Sequence, residues 1–500
     1  RRPRVVVAGA GISGLAAAWL IAEELRPLYP PDGPELVVLE PADRPGGKIW
    51  TVAEGGFRLE AGPNGFLDSK PSTLDLNRRL GIYDELLRSS DTARKRYIYL
   101  RGQLHRLPEN PPMFLKSKLL SWRGKLRIVA ELWQPPYRGE DEETLAAFGR
   151  RRLGEEAYLR LLDPMVTGVF AGNPETMSLR SAFPRIWELE NQYGGLFKAM
   201  LTLAREKRKR GDKSGSGPAG PGGVLTSYKP GLDRLTSALA ERLGGVLRLG
   251  RTVEAVTKTD TGFTVRADEE TLAADVFVSA APADAAGRFL EPLLPDFAAE
   301  CRALSYSPMA VVGLGFRRGG AVTDPDGFGF LIPNTEKRDI LGILWSSSIF
   351  PGERSPDGHV LLTVMMGGAR RTDIQGLSDE EVLATARREA AAIMGIGAEP
   401  EFTRVFRWER AIPQYNVGHF GLRTRAVEAS RQVPGLWVTG NAFHGIGVND
   451  CTAAAFRLAG EVHRRHVVVA DAHAGAACGA ARGGLDGHDT APQQVPHRED

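Results

Sequence analysis

The chain alternates between short unbroken apolar runs and longer stretches with apolar residues three to four apart. Val5-Val6-Val7-Ala8 and Leu36-Val37-Val38-Leu39 are of the first kind. Neither alternates apolar with polar, so each predicts a strand buried on both faces, as in a parallel sheet covered by helices. Between them lies a small-residue helical stretch from Ile12 to Leu20. The same strand-then-helix rhythm returns at 275–281 and at 436–443. Helices are predicted over 74–87, 125–133, 142–162, 180–204 (interrupted at Gly194-Gly195), 235–243, 379–394 and 450–465. Strands are predicted over 95–100, 246–249, 251–258, 263–267, 309–316 and 360–367.

Composition narrows the picture. Five hundred residues exceed one small core, so two or three domains are expected. With 64 basic and 61 acidic residues the net charge is +3, which argues against nucleic acid as a partner. Three cysteines, Cys301, Cys451 and Cys478, are too few and odd in number for a disulfide framework, and they fit a reducing, cytoplasmic setting. The basic start superficially resembles a signal peptide, but glycines break the apolar run that follows. No apolar run reaches the ~20 residues of a spanning helix. A soluble protein is expected, at most bound to a membrane surface. The candidate for such contact is the stretch where Met113, Phe114, Leu115, Leu119, Leu120 and Trp122 interleave with Lys116, Lys118 and Arg123. Segment 205–223 is basic and rich in Gly, Ser and Pro, and reads as a disordered insertion. Residues 469–500 read as a disordered tail.

Candidate chemistry begins at Gly9-Ala10-Gly11-Ile12-Ser13-Gly14. Gly9 allows the tight turn, Gly11 lets a pyrophosphate approach the backbone, and Gly14 lets the helix pack close to the strand. The phosphates would sit on unpaired N–H groups at the helix start. Glu40 ends the second strand, where a carboxylate can hold ribose hydroxyls. Gly46-Gly47-Lys48 follows, then the side-chain-poor loop Gly62-Pro63-Asn64-Gly65. Far along the chain, Gly445-Ile446-Gly447-Val448 opens another helix. The nucleotide sheet is thus expected to come from three separated pieces, with other domains inserted. That layout suits a flavin enzyme, whose ring the far end of the chain must reach.

These segments, with Ala411-Ile412-Pro413-Gln414-Tyr415-Asn416 and Asn449-Asp450-Cys451, resemble the protoporphyrinogen oxidase family, a branch of the flavin amine-oxidase superfamily. Lys95-Arg96-Tyr97, 168–172, 327–331 and Gly367-Gly368-Ala369-Arg370 also match, and the similarity covers roughly residues 4 to 465. The resemblance implies non-covalent FAD and removal of six hydrogens from a porphyrinogen, with oxygen as acceptor. FAD contacts carry over to Gly9, Ala10, Gly11, Ile12, Ser13, Gly14, Glu40, Lys48, Gly62, Pro63, Asn64, Gly65, Val253, Trp408, Ile446, Gly447 and Val448. Lys48 stands where wider relatives often have arginine. Arg96 falls on the family's substrate-carboxylate arginine, and Gly168, Ala171, Leu331, Leu341 and Met366 fall on the macrocycle pocket.

The implied fold is α/β, a Rossmann-type FAD domain in three segments (1–88, 224–286, 405–468). An α+β substrate domain (89–93, 287–404) and a helical domain of membrane-associated type (94–204) are inserted. Hydride loss from a meso carbon with proton loss is the implied chemistry, and the cofactor does the hard step. No catalytic residue and no metal ligand is assigned. His419 and His444 sit in glycine turns, where structural roles are commoner, and Cys451 reads as a small packed thiol. Coproporphyrinogen III is the rival substrate. A flavin-free prenyl-protein binding module of related fold is the rival of another class. A homodimer, a transient ferrochelatase contact and a peripheral membrane contact stay open as partners.

Overall fold

A computed structural model describes residues 1–209, 223–319 and 325–482. The expected disorder at 210–222 and 483–500 lies outside the described residues.

The apolar runs form a five-stranded parallel sheet. Its order is Leu247–Leu249, Glu35–Glu40, Arg4–Ala8, Val276–Ser279, Leu436–Val438. Its strands therefore come from the start, the middle and the end of the chain. Side chains alternate between two cores. Val5 and Val7 face the helices Ile12–Leu25, Asp233–Leu243 and Val448–Arg482. Val6 and Ala8 face a three-stranded meander (Val253–Thr259, Gly262–Ala267, Glu270–Ala274) and the helices Ala283–Phe289 and His419–Gln432. Each fully buried valine contributes about 1.5–3 kcal/mol, which explains the unbroken run.

A second sheet has seven strands, ordered Phe402–Pro413, Tyr306–Arg317, His359–Gly367, Gly342–Leu344, Gly329–Leu331, Arg96–Leu100, Gln103–Arg106. Helix Asp379–Met394 covers one face, setting Val382, Ala386 and Ala390 against Val312, Leu314 and Val364. Ser378 and Glu381 close a capping box at its start, worth about 1 kcal/mol. The other face meets the first sheet's loops, where Phe57 and Leu59 pack on Leu361 and Phe402.

Helices from Pro111–Lys116 to Leu196–Lys209 form a third region. Arg152, fully buried, ties it together through Glu131 (3.1 Å) and Glu190 (2.6 Å).

Several expectations change. The strand expected over 95–100 forms as Arg96–Leu100, and a further strand that was not expected, Gln103–Arg106, pairs with it at the edge of the seven-stranded sheet. The helix expected over 142–162 is split at Gly154, whose φ of +89° breaks the α path. A π-helical turn, Tyr158–Leu162, then leads into Asp163–Phe170. The helix expected to reach 87 stops at Leu80, before Gly81. Helix Leu196–Lys209 runs past the expected start of disorder at 205. The last helix reaches Arg482 where a tail was expected from 469, because the stretch is rich in alanine, the strongest helix former.

Candidate active site

The first glycine turn is defined by backbone contacts. A Cβ on Gly14 would lie 1.8 Å from the Gly9 carbonyl oxygen, so helix and strand could not pack with any side chain there. A Cβ on Gly11 would meet nothing within 4 Å. Gly11 caps helix Ile12–Leu25, and the free volume beside it lies at that helix's N-terminus, where an anion is favoured. The Glu40 carboxylate accepts from Ala10 N–H at 2.7 Å and from Ala42 N–H at 3.1 Å. Each oxygen keeps a second lone pair for a ribose hydroxyl. Arg251 N–H donates to the Glu40 carbonyl at 2.8 Å, which brings the Val253 strand to this corner.

Lys48 follows the glycine pair. Its ammonium lies 5.1 Å from the centroid of the Tyr306 ring, and burial pushes its pKa down to about 8 against the pull of Asp284. Loop 62–65 is pressed close to the backbone: a Cβ on Gly62 would lie 2.0 Å from the Lys48 carbonyl oxygen. Trp408 Nε1 donates to the Ala61 carbonyl at 2.7 Å and so fastens this loop to the second sheet.

The C-terminal turn reaches the same place. Val448 joins the core that contains Leu15, with Ile12 packed against it, and Ile446 packs on the helical region's cluster. The Cys451 thiol donates to the Gly445 carbonyl at 3.8 Å, and burial pushes it up to about 11 against the pull of the neighbouring Ser13 hydroxyl, so it stays protonated. Tyr415 donates to the Asn441 carbonyl, accepts from Gly445 N–H at 3.1 Å, and stacks on His419. His419 Nε2 lies 2.8 Å from the Ala442 carbonyl, and His444 Nε2 lies 3.3 Å from that of Val438. Burial lowers both to about 4. Each is a neutral structural donor.

Beside this cradle is an apolar cluster. Ala171, Met309 and Ala411 form it, with Leu341, Met365, Trp408 and Ile412 packed on them. Gly168 adjoins it, since a Cβ there would lie 2.7 Å from Leu331. Leu331 belongs to the neighbouring cluster with Ile98 and Leu119, and Ile332 N–H, next to it, donates to the Leu341 carbonyl at 3.0 Å. Met366 does not join them. It is buried on the opposite face of its strand, in the core with Val382 and Ala386, and Met365 faces the slot instead. A strand reverses side-chain direction at each residue, so a register error of one position exchanges the two.

Arg96 pairs by backbone with Gly329, two residues from Leu331. It is exposed at its tip, crowded by protein atoms that lower its pKa, and 5.1 Å from the Phe328 ring centroid. Among the described residues no carboxylate pairs with it. Lys95 and Arg370, by contrast, are neutralised by Asp326 (2.6 Å) and Asp163 (2.6 Å).

Reading the sequence missed Met309, Met365 and the Asp163–Arg370 pair. The only available signal was the 367–370 segment beside the slot strand. No group of His, Cys, Asp or Glu suited to a metal occurs among the described residues.

Glycine turns at helix starts lie beside this apolar cluster, and the chain belongs to the flavin-containing amine oxidoreductase family, which it matches over residues 12–463. Within it the similarity runs to porphyrinogen oxidases. Coproporphyrinogen III oxidase of Bacillus subtilis is 31% identical over 469 residues, 90% of this chain and 96% of that one. Protoporphyrinogen oxidase 1 of the Arabidopsis thaliana chloroplast is 32% identical over 481 residues, 92% and 87%. A crystal structure from Exiguobacterium sp. 255-15, provisionally named a protoporphyrinogen oxidase, superposes with a TM-score of 0.77 at 25% identity over 93% of this chain and 99% of that one.

Proposed function

We propose that this chain oxidises a porphyrinogen in haem biosynthesis, with FAD bound non-covalently in the glycine cradle and oxygen as acceptor. What supports this reading is convergence: the open volume at Gly11, Glu40 and the 445–448 turn come together beside an apolar cluster, and Arg96, without a carboxylate partner among the described residues, lies on the strand paired with 329–331. Gly9 to Gly14, Glu40, Lys48, loop 62–65, Val253, Trp408 and Ile446 to Val448 hold the cofactor, which supplies the electron acceptor when bound. Arg96 takes a propionate in a bidentate fork. Gly168 and Ala171 give the ring room, and Leu331, Leu341 and Met365 exclude water. The neutral histidines and the protonated Cys451 are not placed to act as bases, so the protein's part is positioning.

Protoporphyrinogen IX is the leading substrate, because Arg96 is the one cation placed here at the slot that lacks a carboxylate partner among the described residues. A two-carboxylate edge suits it better than four carboxylates spread around the ring. Coproporphyrinogen III is the alternative, named for a relative of nearly equal identity. Purified protein should be yellow and should turn over protoporphyrinogen with the higher kcat/KM. Preference for coproporphyrinogen would reverse the order, and colourless protein that cannot be reloaded with FAD would overturn both.

A peripheral place on the cytoplasmic face of a membrane follows from helix Trp122–Val129 and its continuation. Trp122, Leu126, Val129 and Trp133 recur at helical spacing and are all exposed, Trp133 by 75%. Lys116, Lys118 and Arg123 flank them, as anionic lipid requires. Beneath, Phe114, Leu119 and Leu120 pack with Ile98 and Leu331, next to the slot. No described helix is long and apolar enough to cross a membrane. Co-flotation with anionic but not neutral vesicles, lost in Trp122→Ser/Trp133→Ser, tests this.

A further inference from the structure

The segment Gly367-Gly368-Ala369-Arg370 ends a slot strand, and nothing above uses its arginine. Arg370 Nη1 lies 2.6 Å from Asp163 Oδ1, and Asp163 is 2% exposed. Arg370 Nε donates to Asn173 Oδ1 at 3.1 Å. Asn334 N–H donates to Asp163 Oδ2 at 3.3 Å, and Ala369 N–H donates to the Ala171 carbonyl at 2.7 Å. From a third side, Gln414 Nε2 donates to the Phe170 carbonyl at 3.0 Å. One short stretch, 163–173, is thereby fastened to loops 332–334 and 367–370 and to the strand end at 414.

That stretch needs fastening. A π-helical turn leads directly into Asp163, and π-turns inside helices are frequent at functional sites. Its far end holds Ala171 at φ +46°, a conformation a residue with a side chain rarely takes unless its neighbours over-determine it. Gly168 and Ala171 lie between these two features, on one wall of the slot. Leu341 and Met365 pack on the cluster that holds Ala171 and are taken as the facing wall, and Leu341 N–H donates to the Met365 carbonyl at 2.8 Å.

We propose that Asp163 and Arg370, with Asn173, are positioning residues that set the separation of the two slot walls and so the fit of the porphyrinogen. This rests on the slot being the porphyrinogen site. Asp163 neutralises Arg370, so the pair acts as a clamp between walls, distinct from the carboxylate contact given to Arg96. A loosened clamp lets the 168–171 wall drift, which weakens contact with a bulky apolar macrocycle while leaving the FAD cradle, built from other segments, intact.

The test is steady-state kinetics on flavin-loaded Arg370→Ala, Arg370→Lys and Asn173→Ala. Arg370→Ala should raise KM for protoporphyrinogen about tenfold with kcat changed less than about twofold, the signature of lost uniform binding. Asn173→Ala, which loses a single bond, should raise it about threefold, and Arg370→Lys should recover part of the loss. FAD content should match the parent in all three. A purely structural pair would lower thermal stability and leave KM unchanged in the folded fraction, and an unchanged KM in Arg370→Ala overturns the proposal. If that variant does not fold, an unchanged KM in Asn173→Ala overturns it. Gly168→Val separates the two readings. If it impairs porphyrinogen use while the clamp variants do not, only the clamp fails; if it has no effect, the slot assignment itself fails.

Discussion

The two halves of the active site are built from different materials. The cofactor cradle is made of backbone: Gly14 against the Gly9 carbonyl, Gly62 against the Lys48 carbonyl, Ala10 and Ala42 N–H groups on Glu40. The proposed slot is made of side chains: methionines, leucines and small residues of one apolar cluster, with Arg96 proposed at its rim. Backbone carbonyls cannot step aside for a new atom, whereas a methionine or leucine can change rotamer. Substitution in the cradle should therefore act all or nothing, and substitution in the slot should act by degree.

The largest expected effect is within the cradle itself. Gly14→Ala forces a methyl into the Gly9 carbonyl and should cost about 3 kcal/mol or more, seen as loss of folded protein in urea melts. Gly11→Val should differ in kind. A Cβ there meets no protein atom within 4 Å, so the variant should melt within about 2 °C of the FAD-free parent yet retain no flavin absorbance. A flavin-loaded Gly11→Val would break the contrast. In the slot, Arg96→Ala should keep its flavin and raise KM about tenfold, as loss of one charge-assisted bond of about 1.5 kcal/mol implies. Unchanged kinetics would remove Arg96 from the rim.

The smallest effect concerns the turn that serves both halves. His419 and His444 are held near 4 by burial, below the usual 6.5, so the folded form binds fewer protons than the unfolded between those values. The stability they contribute is complete above pH 6.5 and is lost as pH falls toward 4. Each histidine should cost about 1 kcal/mol between pH 6.5 and 5.5. Denaturant melts at the two pH values should show it, and His419→Gln should flatten the slope.

What could be read from the sequence follows the same division. The glycine cradle is local, and each of its two turns is contiguous in sequence, so spacing alone located them. The slot is not local. Arg96 reaches Gly329 by a pairing that no nearby residue announces. Strand His359–Gly367 is buried on both faces, so its pattern carries no sign of which methionine faces the slot, and Met366 was taken for Met365. Asp163 and Arg370 are remote in sequence and meet only because a π-turn and a strand end adjoin. Element ends slipped for simpler reasons: Gly154 and Gly81 stopped helices that apolar periodicity would have carried through.

The helix that opens at Val448 lies against the one that opens at Ile12, and Cys451 touches Ser13. A ribosome releases the helix at Ile12 well before the helix at Val448. Until the second emerges, the apolar flank of the first lacks its final cover. A chain cut short before 448 should therefore retain less flavin than the full chain, which absorbance of the purified fragment would show.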